Sequence, residues 1–350
     1  MIAILQERVF ASTRTNQLEL LKLISVCESG RHVLVTNPPY VPGGSPILDA
    51  WLEDLPLPVG AHVRLLLEFG LLELAGKTAA APRIRVSDVT ACNWESTEPV
   101  LTVEDAARLL NMPLKLLVEN RRNDGAFLRK LTPPSYRAVL ERALERGWVE
   151  LENGGGIGEL RRRVEEAQYK PMHHTRLWVM VDSDAREPDK PSGASDKVIE
   201  ACLKVFQPWP LPARQLRRRS IENYLPLKSL QGWASRKGAN GREVVDSFIR
   251  LSQNQRHHFN MKSGFLGDLK SEKREQYRAR RAVVEDADLP PLFQRLSLED
   301  KRALQEGFGS SIGDLFHDED GVALVAEEHL QSEVPDHERT TLVQSILERI

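Results

Sequence analysis

The sequence predicts an α/β fold, a parallel sheet flanked by helices in the middle of the chain with helix-rich regions before and after it. Three observations lead there. Short apolar runs at 114–118 (LKLLV), 148–152 (WVELE) and 177–181 (LWVMV) alternate with stretches of helical periodicity, the pattern of parallel strands joined by covering helices. Acidic residues stand directly after the first and third of these runs. Outside residues 101–230 the apolar spacing is mostly helical, which sets the expected divisions at 1–100, 101–230 and 231–350.

Residues 1–100 read as a helix-rich adaptor with one or two strands. Leu18, Leu20, Leu21, Leu23 and Ile24 mark a helix, HVLVT a short strand, and NPPYVPGGSP a turn-rich segment. A second helix, ILDAWLEDL, and the run VRLLLEFGLLELA precede a polar loop around KTAAAPRIR. NPPY at 37–40 also occurs in amino-group DNA methyltransferases. Those enzymes need a glycine-rich loop for the methyl donor, which this chain lacks before Asn37, so a strand-ending turn accounts for the tetrapeptide.

In the middle region Thr102 is placed to cap a helix through VEDAARLL, with Asp105 as the reciprocal acid. After LKLLV come helical patterns in GAFLRKL and in Tyr136, Val139, Leu140, Ala143 and Leu144. WVELE runs into Gly154, Gly155 and Gly156, then into a helix with Ile157, Leu160 and Val164 on one face. LWVMV is the most apolar strand; AREPDKPSGAS is a loop, and Val198, Ile199, Cys202, Val205 and Phe206 mark the next helix. QLRRRSIENYL closes the unit and is expected to begin as a fourth strand. Beyond 230, VVDSFIRL, LFQRLSLEDKRALQEGF and TTLVQSILERI have helical spacing around a loop, FGSSIGDLFHDEDG.

Composition narrows the function classes. A chain of 350 residues is long for one core and suits one large or two to three small domains. No apolar run approaches the roughly 20 residues that span a bilayer, and the first residues lack the basic start and long apolar core of a secretory signal. Cys27, Cys92 and Cys202 are widely spaced and read as buried free thiols, so a cytoplasmic location and no membrane partner are expected. A net charge of −2 excludes a bulk polycation, so nucleic acid must meet local patches. One candidate is Arg214 with Arg217, Arg218 and Arg219; the other is 270–281, which reads more simply as a solvated helix face.

The chemistry concentrates in ordered acids. Glu119 follows the first strand, Asp182 and Asp184 follow the third, and Glu222 stands in RRRSIENYLP. Carboxylates at the tips of neighbouring parallel strands converge on one crevice. In extended chain Asp182 and Asp184 share a direction while Ser183 faces away. Clustered carboxylates repel unless a cation neutralises them, and Mg²⁺ takes such oxygen ligands while keeping waters for phosphate chemistry. Asp124 suits an outer acid or a helix start, and Gly154 to Gly156 suit a phosphate-approaching turn or a plain strand-to-helix turn. The histidine doublets at 173–174 and 257–258 match no ligand spacing and are expected to be solvent-exposed or in loops.

The ordered set VENxxxDGAFL, the strand with GGG, VDSD and IENY resembles the TOPRIM domain over about 120 residues, most closely the overcoming-lysogenization-defect type of nuclease and stand-alone relatives in phage-defence systems. The chain departs from that family in having Asn120 where glycine usually follows the first glutamate. The resemblance implies Glu119, Asp182, Asp184 and Glu222 as ligands of Mg²⁺ (or Mn²⁺), with Glu119 also a general base. It further implies Lys262, in HHFNMKSGF beside a flexible Gly264, as a lysine that steadies the transition state. Arg217, Arg218 and Arg219 would hold the DNA or RNA backbone. The resemblance allows for an ATPase or structural partner protein and for self-association; the chain has no P-loop, so any ATP dependence must come from another protein. The competing reading is a catalytically silent TOPRIM-like scaffold. A topoisomerase or primase component ranks last, for want of a nucleophilic-tyrosine or template-binding module.

Overall fold

The computed structural model describes residues 1–12, 15–77, 81–167, 169–205, 213–319 and 322–350. Phe206, Asp320 and Gly321, which the sequence assigns to a helix and a loop, lie outside them. Two four-stranded, all-parallel sheets carry the fold, each with helices around it.

The N-terminal region is helix-rich as expected, but the expectation of one or two strands is corrected by a four-stranded sheet. It contains β1 (Ile2–Gln6), β2 (Val33–Asn37), β3 (Arg83–Val86) and β4 (Val100–Leu101) in the order β2-β1-β3-β4. Strand β1 is five residues at the chain start, too short for periodicity to separate from other apolar runs. In β3, Arg83 and Arg85 interleave with buried Ile84 and Val86, so a half-buried strand lies inside what reads as a polar loop. The helix Leu57–Gly76 packs on β2 and buries Gly60, Val63, Leu67 and Gly70, a helical spacing. Its backbone comes so close that a Cβ on Gly70 would stand 1.8 Å from the Leu34 carbonyl oxygen. The helix Val103–Asn111 also joins this core through Val103, Ala106, Leu109 and Leu110, although its sequence position groups it with the middle region. Thr102 caps it, Oγ1 accepting from Asp105 N–H at 3.1 Å; the return bond is to the Asp105 carboxylate rather than to the Thr102 backbone.

Three strands of the second sheet follow the sequence reading to within a residue, β5 (Leu114–Val118), β6 (Val149–Asn153) and β7 (Leu177–Val181). The fourth, β8 (Ala213–Gln215), ends at the first residue of the QLRRRSIENYL segment expected to begin it, and the order is β6-β5-β7-β8. Period-2 alternation sends Leu114, Leu116, Val118, Trp178 and Met180 to one core, and Leu117, Leu177, Val179 and Val181 to the other. Both faces are covered, which is why β7 reads as an unbroken apolar run. The helices Arg121–Leu131 and Pro134–Glu145 lie on the first face, and Ile157–Ala167 and Gly193–Val205 on the second.

The C-terminal chain shares the first of these cores. The helix Leu227–Arg250 contributes Leu230, Ala234, Val245 and Phe248, and the helix Asp336–Leu347 contributes Leu342 and Ile346. Trp178 Nε1 donates to Ser345 Oγ at 3.1 Å, and buried Arg339 donates from Nε to the Leu131 carbonyl at 3.0 Å. Of the expected C-terminal helices, the run from Leu292 to Phe308 is helical in the segment Leu298–Ala303 and otherwise mostly turns. The basic stretch forms the helix Ser271–Arg280, which buries no residue and pairs Lys273 with Asp288 and Arg278 with Glu306, a solvated face. Among the described residues no helix is long and apolar enough to cross a membrane.

Candidate active site

The chain leaves β5 for β6 on one side and returns to β7 on the other, passing over β5. The covering helices change face at this reversal, and a crevice opens at the strand tips between β5 and β7. Glu119 and Asp182 are the first residues past those two tips.

These two acids are in contact. Glu119 Oε1 accepts from the Asp182 backbone N–H at 3.3 Å, and Asp182 Oδ1 accepts from the Ile221 N–H at 3.2 Å. Ser183 is buried and turns the other way, donating from Oγ to the Arg218 carbonyl at 2.8 Å. Asp184 is exposed and left-handed, φ 49°, a conformation that Asp tolerates better than most residues, so the extended segment expected to point Asp182 and Asp184 the same way is a turn instead. Its N–H donates to the Arg219 carbonyl at 2.8 Å, which pins the turn. Ser195 Oγ donates to the Asp182 carbonyl at 2.7 Å from the helix Gly193–Val205.

Glu222 arrives from the 3-10 turn Ile221–Tyr224 after β8 and is fully buried. Its Oε1 forms an ion pair with Lys262 Nζ at 3.0 Å, and among the described residues Oε2 has no hydrogen-bond donor. A Cβ on Gly313 would fall 2.9 Å from this Oε1 and 3.1 Å from Asn123 Nδ2, so glycine there makes room for both side chains. Lys262 is 45% exposed and sits on a turn that is anything but loose. Gly264 has φ 57°, and a Cβ on it would lie 2.2 Å from the Leu304 carbonyl oxygen; Phe308 and Gly309 N–H groups bond the Met261 and Lys262 carbonyls. The expected flexible glycine is a packed one.

Asn120 accounts for the departure from the family pattern. It is extended, φ −131°, and caps the helix Arg121–Leu131, its Oδ1 accepting from Arg122 and Asn123 N–H at 3.0 and 3.2 Å. No left-handed turn is needed there, so asparagine serves as N-cap. Buried Asp124 completes the cap, Oδ2 accepting from the Asn120 N–H at 2.9 Å. Asp124 therefore has a helix-start role and also faces the acids.

The electrostatics follow from this crowding. Burial, then the charges of Asp184 and Asp124, push the Glu119 carboxyl up to about 7. Burial also lifts Asp124 to about 6, with Glu222 adding to it against the Asn120 N–H. Asp182 stands well above the ordinary carboxylate range through burial and the charges of Glu222, Glu119 and Asp124. Burial works against the Lys262 ammonium, but Glu222 and Asp182 outweigh it and hold its pKa above the usual value.

A hard cation fits the carboxylates, whose donors are all oxygen and which include buried Glu222, matched among the described residues only by the Lys262 ammonium. Among the described residues no group of three or more His, Cys, Asp or Glu side chains is already drawn together as a metal cage. Mg²⁺ keeps several waters and needs only one or two carboxylates directly, so convergence without a closed cage is compatible with it.

The arginine triplet is corrected in part. Arg218 is buried over the Tyr224 ring, 4.5 Å to its centroid, and donates to the Asn223 and Glu333 carbonyls, each at 2.9 Å. Arg219 is buried and grips the Asp268 carboxylate with both terminal nitrogens. Neither can present its guanidinium to a nucleic acid without abandoning those bonds; Arg217 alone is exposed, beside His337. The glycine triplet is a strand-to-helix turn: Gly154 N–H bonds the Val118 carbonyl, and Gly155 and Gly156 have φ 75° and 93°. The histidine doublets fall in the short helices Pro171–Thr175 and Gln253–His258, where burial lowers His174 to about 4 and His257 to about 3. His258 is buried rather than exposed, its Nδ1 3.2 Å from the Ala185 carbonyl oxygen, and forms part of the wall beneath the Asp184 turn.

Sequence reasoning missed Asn123, Gly313 and His317. Asn123 Oδ1 lies 3.1 Å from His317 Nε2 and its amide reaches toward Glu222, ties that join residues nearly 200 positions apart and leave no local pattern. No protein-family model, curated protein or solved structure matches this chain.

Proposed function

We propose that the chain is a Mg²⁺- or Mn²⁺-dependent nuclease whose second sheet is TOPRIM-like. The observation that carries this reading is the meeting of Glu119 and Asp182 at the switch between β5 and β7, with buried Glu222 and Lys262 joining the same cluster. Asp182 and Asp184 would hold the cation with Glu119, and Glu222 would serve a second ion or orient the first. When bound, the cation supplies Lewis-acid polarisation of the phosphoryl group and a more acidic water. The protein's own contributions are distinct. Glu119, near neutrality, can hold or release a proton at its Oε atoms. Half-exposed Lys262 places positive charge where it can oppose charge developing on a phosphoryl oxygen. The resemblance to phage-defence effectors extends the proposal to a bacterial anti-phage system working with a partner protein.

A second reading keeps the fold without the reaction. The alternative is a TOPRIM-like scaffold docking a partner ATPase or structural protein, in which the acids hold no catalytic ion. Plasmid, single-stranded DNA and tRNA incubated with Mg²⁺, Mn²⁺ or EDTA separate the two. The nuclease reading expects metal-dependent cleavage that Glu119→Gln and Asp182→Asn each abolish while circular dichroism stays unchanged. Full cleavage by either variant removes that residue from the mechanism, and no cleavage by the parent protein favours the scaffold.

A further inference from the structure

The geometry points to a groove over the start of the helix Arg121–Leu131 as the track for the phosphodiester backbone of the substrate, with Arg121, Arg122 and Arg129 as its phosphate contacts. This rests on the nuclease reading and deepens it, because it assigns the substrate-holding residues that Arg218 and Arg219 do not supply. The groove is about 490 Å³ and is lined by Asn120, Arg121, Arg122, Arg129, Asn153 and His317 over a floor that includes Gly125 and Leu151. Three cations and no acid line it, in a chain whose net charge is −2.

The three arginines are available in a way the triplet after β8 is not. All are exposed. Arg121 has no acidic partner among the described residues, while Arg122 meets Asp314 at 3.9 Å and Arg129 meets Glu141 at 3.6 Å. Pairs that long and solvated contribute little, so a phosphate can replace the carboxylate at small cost. The floor is tight, since a Cβ on Gly125 would stand 2.8 Å from Leu151 Cδ1, so the helix sits directly on the β6 end of the sheet. The groove lining begins at Asn120, the residue after Glu119, and includes His317, whose Nε2 lies 3.1 Å from Asn123 Oδ1, so it adjoins the side of the helix start from which Asn123 reaches toward Glu222. A second groove of about 470 Å³ shares Arg122 and His317 and adds Arg236 and Lys237, so the cationic lining continues past the helix start. Asp314 and Asp318 also line that second groove, and the phosphate contacts are therefore assigned to the first.

The test is fluorescence anisotropy with labelled single-stranded and duplex DNA in metal-free buffer across a KCl series, alongside Mg²⁺-dependent cleavage. The groove variant is Arg121→Gln/Arg122→Gln/Arg129→Gln. Its charge-matched control is Lys270→Gln/Lys273→Gln/Arg278→Gln on the other basic helix. Each phosphate contact contributes roughly 0.7–0.9 to the salt slope, so the groove variant should lower that slope by about 2–3 and weaken binding at least about tenfold. The control should stay within about twofold, and the groove variant's loss in cleavage should fall on KM. Arg121→Glu alone, at an exposed and unpaired position, should weaken binding in the same direction and guards against misfolding of the triple variant. If the parent protein binds and cleaves while the groove variant matches the control, the track is wrong and the nuclease reading stands. If the parent neither binds nor cleaves, both fall together.

Discussion

On the proposed reading, Glu119 is the residue on which proton and cation would compete. With Glu119 at about 7 and Asp124 at about 6, the folded protein holds protons that the unfolded chain releases near an ordinary pKa of about 4. A native state that binds more protons loses stability as pH rises from about 4 through about 7. A divalent cation bound as proposed would offset that loss by replacing the protons, so the thermal shift produced by Mg²⁺ should be larger at pH 8 than at pH 6. Equal shifts at both values, measured by calorimetry, would contradict it. Lys262 plays the complementary part as the cation nearest buried Glu222. Lys262→Met should lower metal-free stability by about 1 kcal/mol, a modest figure because the lysine is half exposed and screened. Added Mg²⁺ should recover most of it in a urea titration, whereas a loss that Mg²⁺ leaves untouched would place Lys262 outside the cation cluster.

At the scale of elements, the acids are held by turns whose chemistry is only partly legible in the sequence. The strands β5 and β7 are readable because both faces are buried. Each is a five-residue apolar run, interrupted in β5 by Lys115, and too short to be a buried helix. Glu119, Asp182 and Asp184 are readable with them, since an acid directly past an apolar strand is unusual. Glu222 and Lys262 come from the family resemblance rather than from periodicity. The packing of the Lys262 turn is not legible. Its rigidity depends on the 304–309 segment, some 40 residues away, closing against Gly264. Gly264→Ala forces a Cβ to within 2.2 Å of the Leu304 carbonyl oxygen and adds strain at φ 57°. It should cost about 1–3 kcal/mol in urea unfolding and lower the cleavage rate by displacing Lys262. An unchanged rate would show that Lys262 has no part in the chemistry. The arginine triplet misleads for the opposite reason: sequence reports charge but not burial, and Arg218 and Arg219 commit theirs to Tyr224, main-chain carbonyls and Asp268.

Across the whole molecule, the C-terminal chain completes the core of the second sheet. Leu342 and Ile346 pack in the cluster that contains Trp178, and Arg176 Nη1 donates to the Arg349 carbonyl at 2.6 Å. Deleting residues 336–350 should therefore expose the Trp178 face and produce a dye-binding, aggregation-prone protein, detected by hydrophobic-dye fluorescence against the full chain. A truncated protein with native dye binding would show that the last helix is dispensable. The N-terminal sheet keeps its own core and touches the second through contacts such as Arg31 Nη2 to the Trp148 carbonyl at 3.1 Å. The division at residue 100 thus falls slightly early, because the helix Val103–Asn111 belongs to the first core, and the boundary is blurred by a cap that looks alike in either unit.

The nuclease proposal requires that acids from two strand tips and the turn after β8 form one cation-holding pocket. Anomalous diffraction from crystals grown with Mn²⁺ would reveal that pocket or its absence. A peak is expected about 2 Å from a carboxylate oxygen of Asp182 or Asp184, with Glu119 facing it and the peak lost in Asp182→Asn. A well-ordered crevice with no peak, or a peak that persists in that variant, would refute the pocket.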